Sequence, residues 1–140
     1  MISLKYPFNI EPGDSHGFIA QFVDIEEAFT CGETIEECLH NAEEVLTAML
    51  EIRLENNEPI PLPSNQNSKY KVAPSVAVQA ALLIRIAKDE TRKNTSDLAR
   101  AMAVTWPVAD KLTNPRHFPS LRQLDKAARA LGKRLTVSFD

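Results

Sequence analysis

Cysteine, glycine and long apolar runs are scarce in this 140-residue chain, and each scarcity removes a class of function. Two cysteines, Cys31 and Cys38, are too few for a disulfide framework, and with His16, His40 and His117 they form no zinc-ligand spacing. Free thiols in a reducing compartment are the expectation. No run approaches the ~18 apolar residues of a membrane span, and the N-terminus lacks the basic, apolar and small-residue regions of a secretory signal, so a cytoplasmic location is expected. Four glycines in the whole chain leave no phosphate-cradling loop. The three histidines have no nucleophile at a readable spacing and read as surface residues. The sequence therefore offers no catalytic residues, no metal ligands and no cofactor site, and the chain is expected not to be an enzyme.

Positive charge is scarce in only one half. Residues 1–68 carry two basic side chains, Lys5 and Arg53, against thirteen acidic ones, a net of −11. Residues 69–140 carry fourteen basic against six acidic, a net of +8, and the whole chain sums to −3. The average, a pI near 5.6, hides this division. Two surfaces with different partners would account for it, a basic one meeting phosphate and an acidic one meeting a cationic protein. Two solvated faces with no partner would do so as well.

The expected class is α+β, with a small antiparallel sheet and one helix over residues 1–73 and a helical domain over residues 74–140. Residues 3–11 and 18–23 read as a hairpin around a turn bracketed by Gly13 and Gly17, with Phe18, Ala20 and Phe22 on one face. A third short run covers residues 28–31. Thr34 followed by Glu37 is a capping box, and Ile35, Leu39, Ala42, Leu46 and Met49 then supply a helical stripe toward the sheet. Pro59, Pro61 and Pro63 forbid helix and central strand. Residues 69–73 can return as one more strand. A second helix begins at Pro74-Ser75 with two apolar stripes, one of Val76, Ala80, Leu83 and Ala87, the other of Val78, Leu82 and Ile86. Its second side faces either a second subunit or a larger local core.

Residues 95–113 carry the strongest functional pattern, a helix-turn-helix. Thr95 or Asn94 caps a short helix, a tight turn follows at residues 103–105, and a second helix runs from Trp106 to about Thr113, stopped by Asn114-Pro115. Leu98, Met102, Leu112 and either Val108 or Ala109 point inward. The turn has Ala103 where glycine is favoured, and Pro107 falls in the first turn of the second helix, where proline is tolerated. In this unit the second helix enters the major groove and the first lies across the backbone. Thr105, Trp106, Asp110, Lys111 and Asn114 are the expected outward residues of the second helix and its end. Thr95, Ser96, Arg100 and Arg116 are expected at phosphates. Trp106 either touches DNA or packs in the core, and Asp110 either reads a base donor or contacts nothing.

A last helix is expected from Ser120, boxed by Gln123, with Leu121, Leu124, Ala128 and Leu131 inward and Gly132 at its end. Leu135, Val137 and Phe139 then alternate with polar residues as a terminal strand. A lone strand leaves its ladder unpaired. Its partner is expected to be the same strand of a second chain, giving a homodimer through the C-terminal half; the rival is residues 69–73 of the same chain.

The order of these elements resembles the HicB antitoxin family. Asp24, Thr30, Gly32, Thr34 and Ala42 match that family's N-terminal signature, with Val23 where the family has Pro and Ala28 where it has Gly. The run Ile60-Pro61-Leu62-Pro63 is similar too. Leu98-Ala99-Arg100 and Ala130-Leu131-Gly132-Lys133 resemble the branch with a helix-turn-helix. The resemblance implies a truncated ribonuclease-H-like N-terminal fold without its activity. It also implies a HicA-type mRNA-cleaving toxin as partner and operator DNA of the shared promoter, bound by a dimer or a higher assembly. A nuclease site would need converging carboxylates on strand and helix, but the first strand has none before Glu11. Glu36, Glu37, Glu43 and Glu44 read as a solvated helix face. The segment Asp24, Ile25, Glu26, Glu27 and Phe29 is the expected toxin contact. A ligand-sensing helix-turn-helix transcription factor without a toxin partner is the alternative.

Overall fold

The computed structural model describes residues 2–140. It is α+β, with the sheet in the N-terminal part and helices after it. The elements are β1 (Tyr6–Pro12), β2 (Phe18–Phe22), β3 (Phe29–Gly32), α1 (Ile35–Glu55), β4 (Tyr70–Val72), α2 (Val76–Thr91), α3 (Thr95–Met102), α4 (Trp106–Asp110) and α5 (Leu121–Ala130), with one 3-10 turn at Lys111–Thr113. The chain divides into one compact unit ending at Gln79 and another beginning at Ala80.

In the first unit all four strands are antiparallel in the order β3-β2-β1-β4. The hairpin forms where alternation and the glycine turn place it, with Gly13 N–H donating to the Gly17 carbonyl at 2.9 Å. Gly17 has φ +75°, and a Cβ there would lie 2.8 Å from the Gly32 carbonyl oxygen, so both conformation and space require glycine. Phe8 sits opposite Phe22 on one side and Tyr70 on the other, with ring centroids 5.0 and 5.5 Å away. This aromatic row pins the register of three strands.

Helix α1 covers the sheet, but its buried stripe is Cys38, Ala42, Leu46, Leu50 and Leu54. Ile35 and Leu39, expected inward, are exposed, and Met49 is only half-buried. A spacing of four drifts slowly round a helix of 3.6 residues per turn, and the stripe begins at Cys38. Burial pushes the Cys38 thiol above its ordinary pKa. Thr34 accepts from Glu37 N–H as expected, yet the Glu37 carboxylate returns to Glu33 N–H rather than to that of Thr34.

The second unit packs Ile84, Ala87, Leu98, Ala99, Met102, Ala109, Leu112, Ala127 and Leu131 into one core. Ala109, not Val108, is the inward residue of α4. Helix α2 is buried on most sides from Val78 to Ala87, whereas Val76 and Leu83 are not buried. Ser120 and Gln123 form the expected reciprocal cap of α5, and Gly132 follows with φ +70°. Leu121, expected inward, is 64% exposed, because it opens the helix before the turn that reaches the core.

The terminal strand is not formed. Residues 133–140 belong to no sheet, with Val137 71% and Phe139 103% exposed. Tyr70–Val72 pairs with Tyr6–Phe8 of β1 and is an edge of the sheet.

Candidate functional site

In the helix-turn-helix, Asn94 is the cap of α3, and Thr95 is its first residue. Asn94 accepts from Asp97 N–H at 2.8 Å, and Asp97 accepts from Asn94 N–H at 3.0 Å. That backbone donor, with Arg100 beside it, holds the Asp97 carboxyl below the ordinary carboxylate range. The box fixes where α3 begins and so where Thr95 and Ser96 stand. Ala103 ends α3 in the left-handed conformation, φ 57°, and turns the chain into α4. Thr105 precedes α4 with an extended backbone and no side-chain cap bond, and Pro107 lies in the first turn.

Alternation of buried and exposed positions then presents one face outward. Ala109 and Leu112 are buried, while Thr105, Trp106, Asp110 and Lys111 are exposed. Trp106 is 51% exposed, so core packing does not explain it. The second helix is shorter than expected, passing into the 3-10 turn at Lys111. Asn114 is exposed, and its side-chain oxygen accepts from Arg116 N–H at 3.0 Å, which shapes the exit. Arg116 and Ser96 are exposed. Arg100 is exposed and donates to Asp97 at 2.5 Å. Thr95 is half-buried, and its hydroxyl accepts from Lys88 Nζ at 2.8 Å.

The residues expected at a protein partner fall into two groups. Glu26 and Phe29 are exposed, Phe29 to 58% on the edge strand β3. The others serve the fold. Ile25 is fully buried and has no side chain to offer a partner; a lone isoleucine among acids marks a turn anchored in the core. Asp24 accepts from Ser64 N–H at 2.9 Å. Glu27 receives a two-pronged guanidinium from Arg53, at 2.6 and 2.7 Å, which holds the Glu27 carboxyl below the ordinary carboxylate range. Arg53 also donates to the Pro59 carbonyl at 3.0 Å, and the Tyr6 hydroxyl donates to that of Pro61 at 2.8 Å. Burial first, then the negative charge of Asp24, pushes the Tyr6 phenol up to about 12. Three side chains thus strap the proline segment to the unit.

Sequence reasoning missed Lys88, Tyr6 and Arg53. The available signals were that Lys88 stands four residues after Ile84 on a buried stripe, and that Arg53 is one of two cations among thirteen acids. Among the described residues, no group of three His, Cys, Asp or Glu is placed to hold a metal ion, and no helix is long and apolar enough to cross a membrane.

Relatives span almost the whole of both units. The chain is 32% identical over 138 residues to antitoxin HicB 1 of Photorhabdus laumondii subsp. laumondii, covering 99% of this chain and 88% of the relative. It is 34% identical over 137 residues to antitoxin HicB of Escherichia coli K12, covering 96% and 98%. A second Photorhabdus relative, antitoxin HicB 2, is 29% identical over 135 residues. Residues 5–83 match the family described as the HicB-like antitoxin of bacterial toxin-antitoxin systems. The chain therefore belongs to the HicB-like antitoxin family.

Proposed function

We propose that the chain neutralises a HicA-type mRNA-cleaving toxin through residues 1–73 and represses its own operon through residues 74–140, acting by binding and not by catalysis. The observation that carries this reading is the coincidence of charge with architecture. The −11 of residues 1–68 falls within the unit that holds the sheet and α1, and the +8 of residues 69–140 accompanies a helix-turn-helix with an exposed outer face. A cationic RNA-binding toxin would be drawn to the first, speeding its encounter; DNA phosphates would be drawn to the second.

On the partner side, Glu26 and Phe29 are the surface groups, with Asp24, Ile25 and Glu27 shaping the turn that carries them. On the DNA side, Thr105, Trp106, Asp110 and Lys111 face the groove, and Ser96, Arg100 and Arg116 the backbone, with Asn114 ordering the loop before Arg116. Homodimerisation through the C-terminal half would give residues 135–139 the ladder they lack and present two recognition helices to paired half-sites. The setting is cytoplasmic, where both mRNA and operator are found.

Co-expression tests the first half. The chain is expected to restore growth to cells producing the short basic protein encoded beside it. Failure to rescue, with both proteins made, would reject neutralisation. A chain that still shifts its upstream DNA without binding that neighbour would be a transcription factor of another kind.

A further inference from the structure

Behind the helix-turn-helix lies a lysine with an unusual position. Lys88 is in the last turn of α2, on the stripe of Ile84 and Ala87 that enters the core of the second unit. It is half-buried, and its ammonium donates to the Thr95 hydroxyl at 2.8 Å. Loss of water lowers its pKa; Asp110 and Asp89 act against that shift, and Arg85 adds to it. Asp89 is shared with Arg85 at 3.5 Å. Asp110, the last residue of α4, is exposed on the face expected to meet DNA.

A threonine hydroxyl has one proton to donate and two lone pairs. With an ammonium donating into one lone pair, the proton turns away from that cation and toward an acceptor. At the start of α3, the acceptor that DNA offers is a phosphate oxygen. We propose that Lys88 is a positioning residue for DNA binding. It fixes the Thr95 hydroxyl as a donor to a backbone phosphate, without itself touching the DNA. This rests on the DNA-binding reading above.

The test is fluorescence anisotropy of the full chain on the duplex immediately upstream of its own gene, over a range of salt. Lys88→Met should bind about tenfold more weakly with the slope of log K against log salt unchanged, because the contact it weakens is a neutral hydroxyl's and no cation leaves a phosphate. Thr95→Val alone should weaken binding several-fold and add little on top of Lys88→Met, since the two act through one bond. Wild-type affinity in Lys88→Met or in Thr95→Val would overturn the proposal. So would a salt slope shallower by about 0.9 in Lys88→Met, the mark of a direct phosphate ligand, or losses in Thr95→Val and Lys88→Met that simply add when combined. Should Lys88→Met not fold, Thr95→Val decides alone. If the wild-type chain binds no upstream duplex, the DNA-binding reading fails and this proposal with it; if it binds and only the variants misbehave, that reading stands.

Discussion

The two units differ in the reach of most of their polar contacts. In the second, side-chain hydrogen bonds are mostly local, Asn94 with Asp97, Arg100 with Asp97, Ser120 with Gln123, Arg129 with Asp125, with Lys93 to the Ala130 carbonyl and Lys133 to Glu90 as longer ties. In the first, the bonds that matter join residues far apart in sequence, Tyr6 to Pro61, Asp24 to Ser64 and Arg53 to Glu27. A helical unit satisfies most of its backbone by itself and needs only its ends closed. A unit that carries a proline segment without secondary structure must bring acceptors and donors to that segment from elsewhere. If this contrast is right, substitutions should act locally in the second unit and across the whole unit in the first.

The largest effect should come from Ile25. It was expected to meet a partner, but it is fully buried. Ile25→Ala should cost about 2–4 kcal/mol through lost burial and the cavity left behind. Hydrogen exchange read by segment should show β1, β2 and α1 losing protection while α3 and α5 keep theirs. Equal loss in all of them would mean that the units open together, and the contrast drawn here would be lost. Glu26→Ala, one residue along on the surface, should leave the exchange pattern unchanged.

Next in size are the cations of the DNA-facing surface. Arg100→Ala and Lys111→Ala should each weaken binding to the upstream duplex about tenfold, with the salt slope falling by about 0.9 for each phosphate contact removed. Their thermal stability should stay near that of the wild type, because both side chains are exposed. Unchanged affinity in both would reject α4 and α3 as the DNA-facing elements.

Smaller again is the clasp of the first unit. Arg53→Met removes the partner of Glu27 and the donor to Pro59. Glu27 is 41% exposed, so water screens the pair and the cost should be about 1 kcal/mol. The Glu27 pKa is depressed in the folded state. Its contribution is therefore present above the ordinary carboxylate pKa and is lost as pH falls through the depressed folded value. The gap between wild type and Arg53→Met in urea midpoints should be steady at neutral pH and should narrow in acid. A gap that widens in acid would have the sign wrong. Residues 58–68 should also become the first site cut by protease in the variant.

The same contrast of reach explains what could be read in advance. Hairpin, proline segment, helix-turn-helix and the caps at Thr34 and Ser120 are signalled by residues within a few positions of one another, and the structure has them. What depends on distant partners could not be read so. The Asp24–Glu27 turn is acidic and flanked by strands, which fits a contact loop as well as an anchored one; only Arg53 and Ser64, 26 and 40 residues away, tell the two apart. Lys88 lies seven residues from Thr95, but across a turn whose geometry the sequence does not print. The tail at residues 135–139 has a strand's alternation but belongs to no sheet.

The smallest effect tests how local the second unit is. Ala103 ends α3 at φ 57° and is exposed. An L-residue there costs about 1–2 kcal/mol through the approach of its Cβ to the carbonyl. Glycine would relieve that cost but would lose more freedom on folding, by roughly 0.5–1 kcal/mol. The difference favours Ala103→Gly by about 0.5 kcal/mol, a rise of a few degrees in melting temperature for a chain of this size. Gly132 has already made this choice after α5, at φ +70° with nothing near its missing Cβ, so Gly132→Ala should lower the melting temperature by a similar amount. Ala103→Gly touches no side-chain bond. DNA affinity should therefore stay within about twofold in Ala103→Gly. A loss of affinity from a stabilised chain would mean that the strained turn itself sets the angle between α3 and α4, and that strain there serves recognition at the expense of stability.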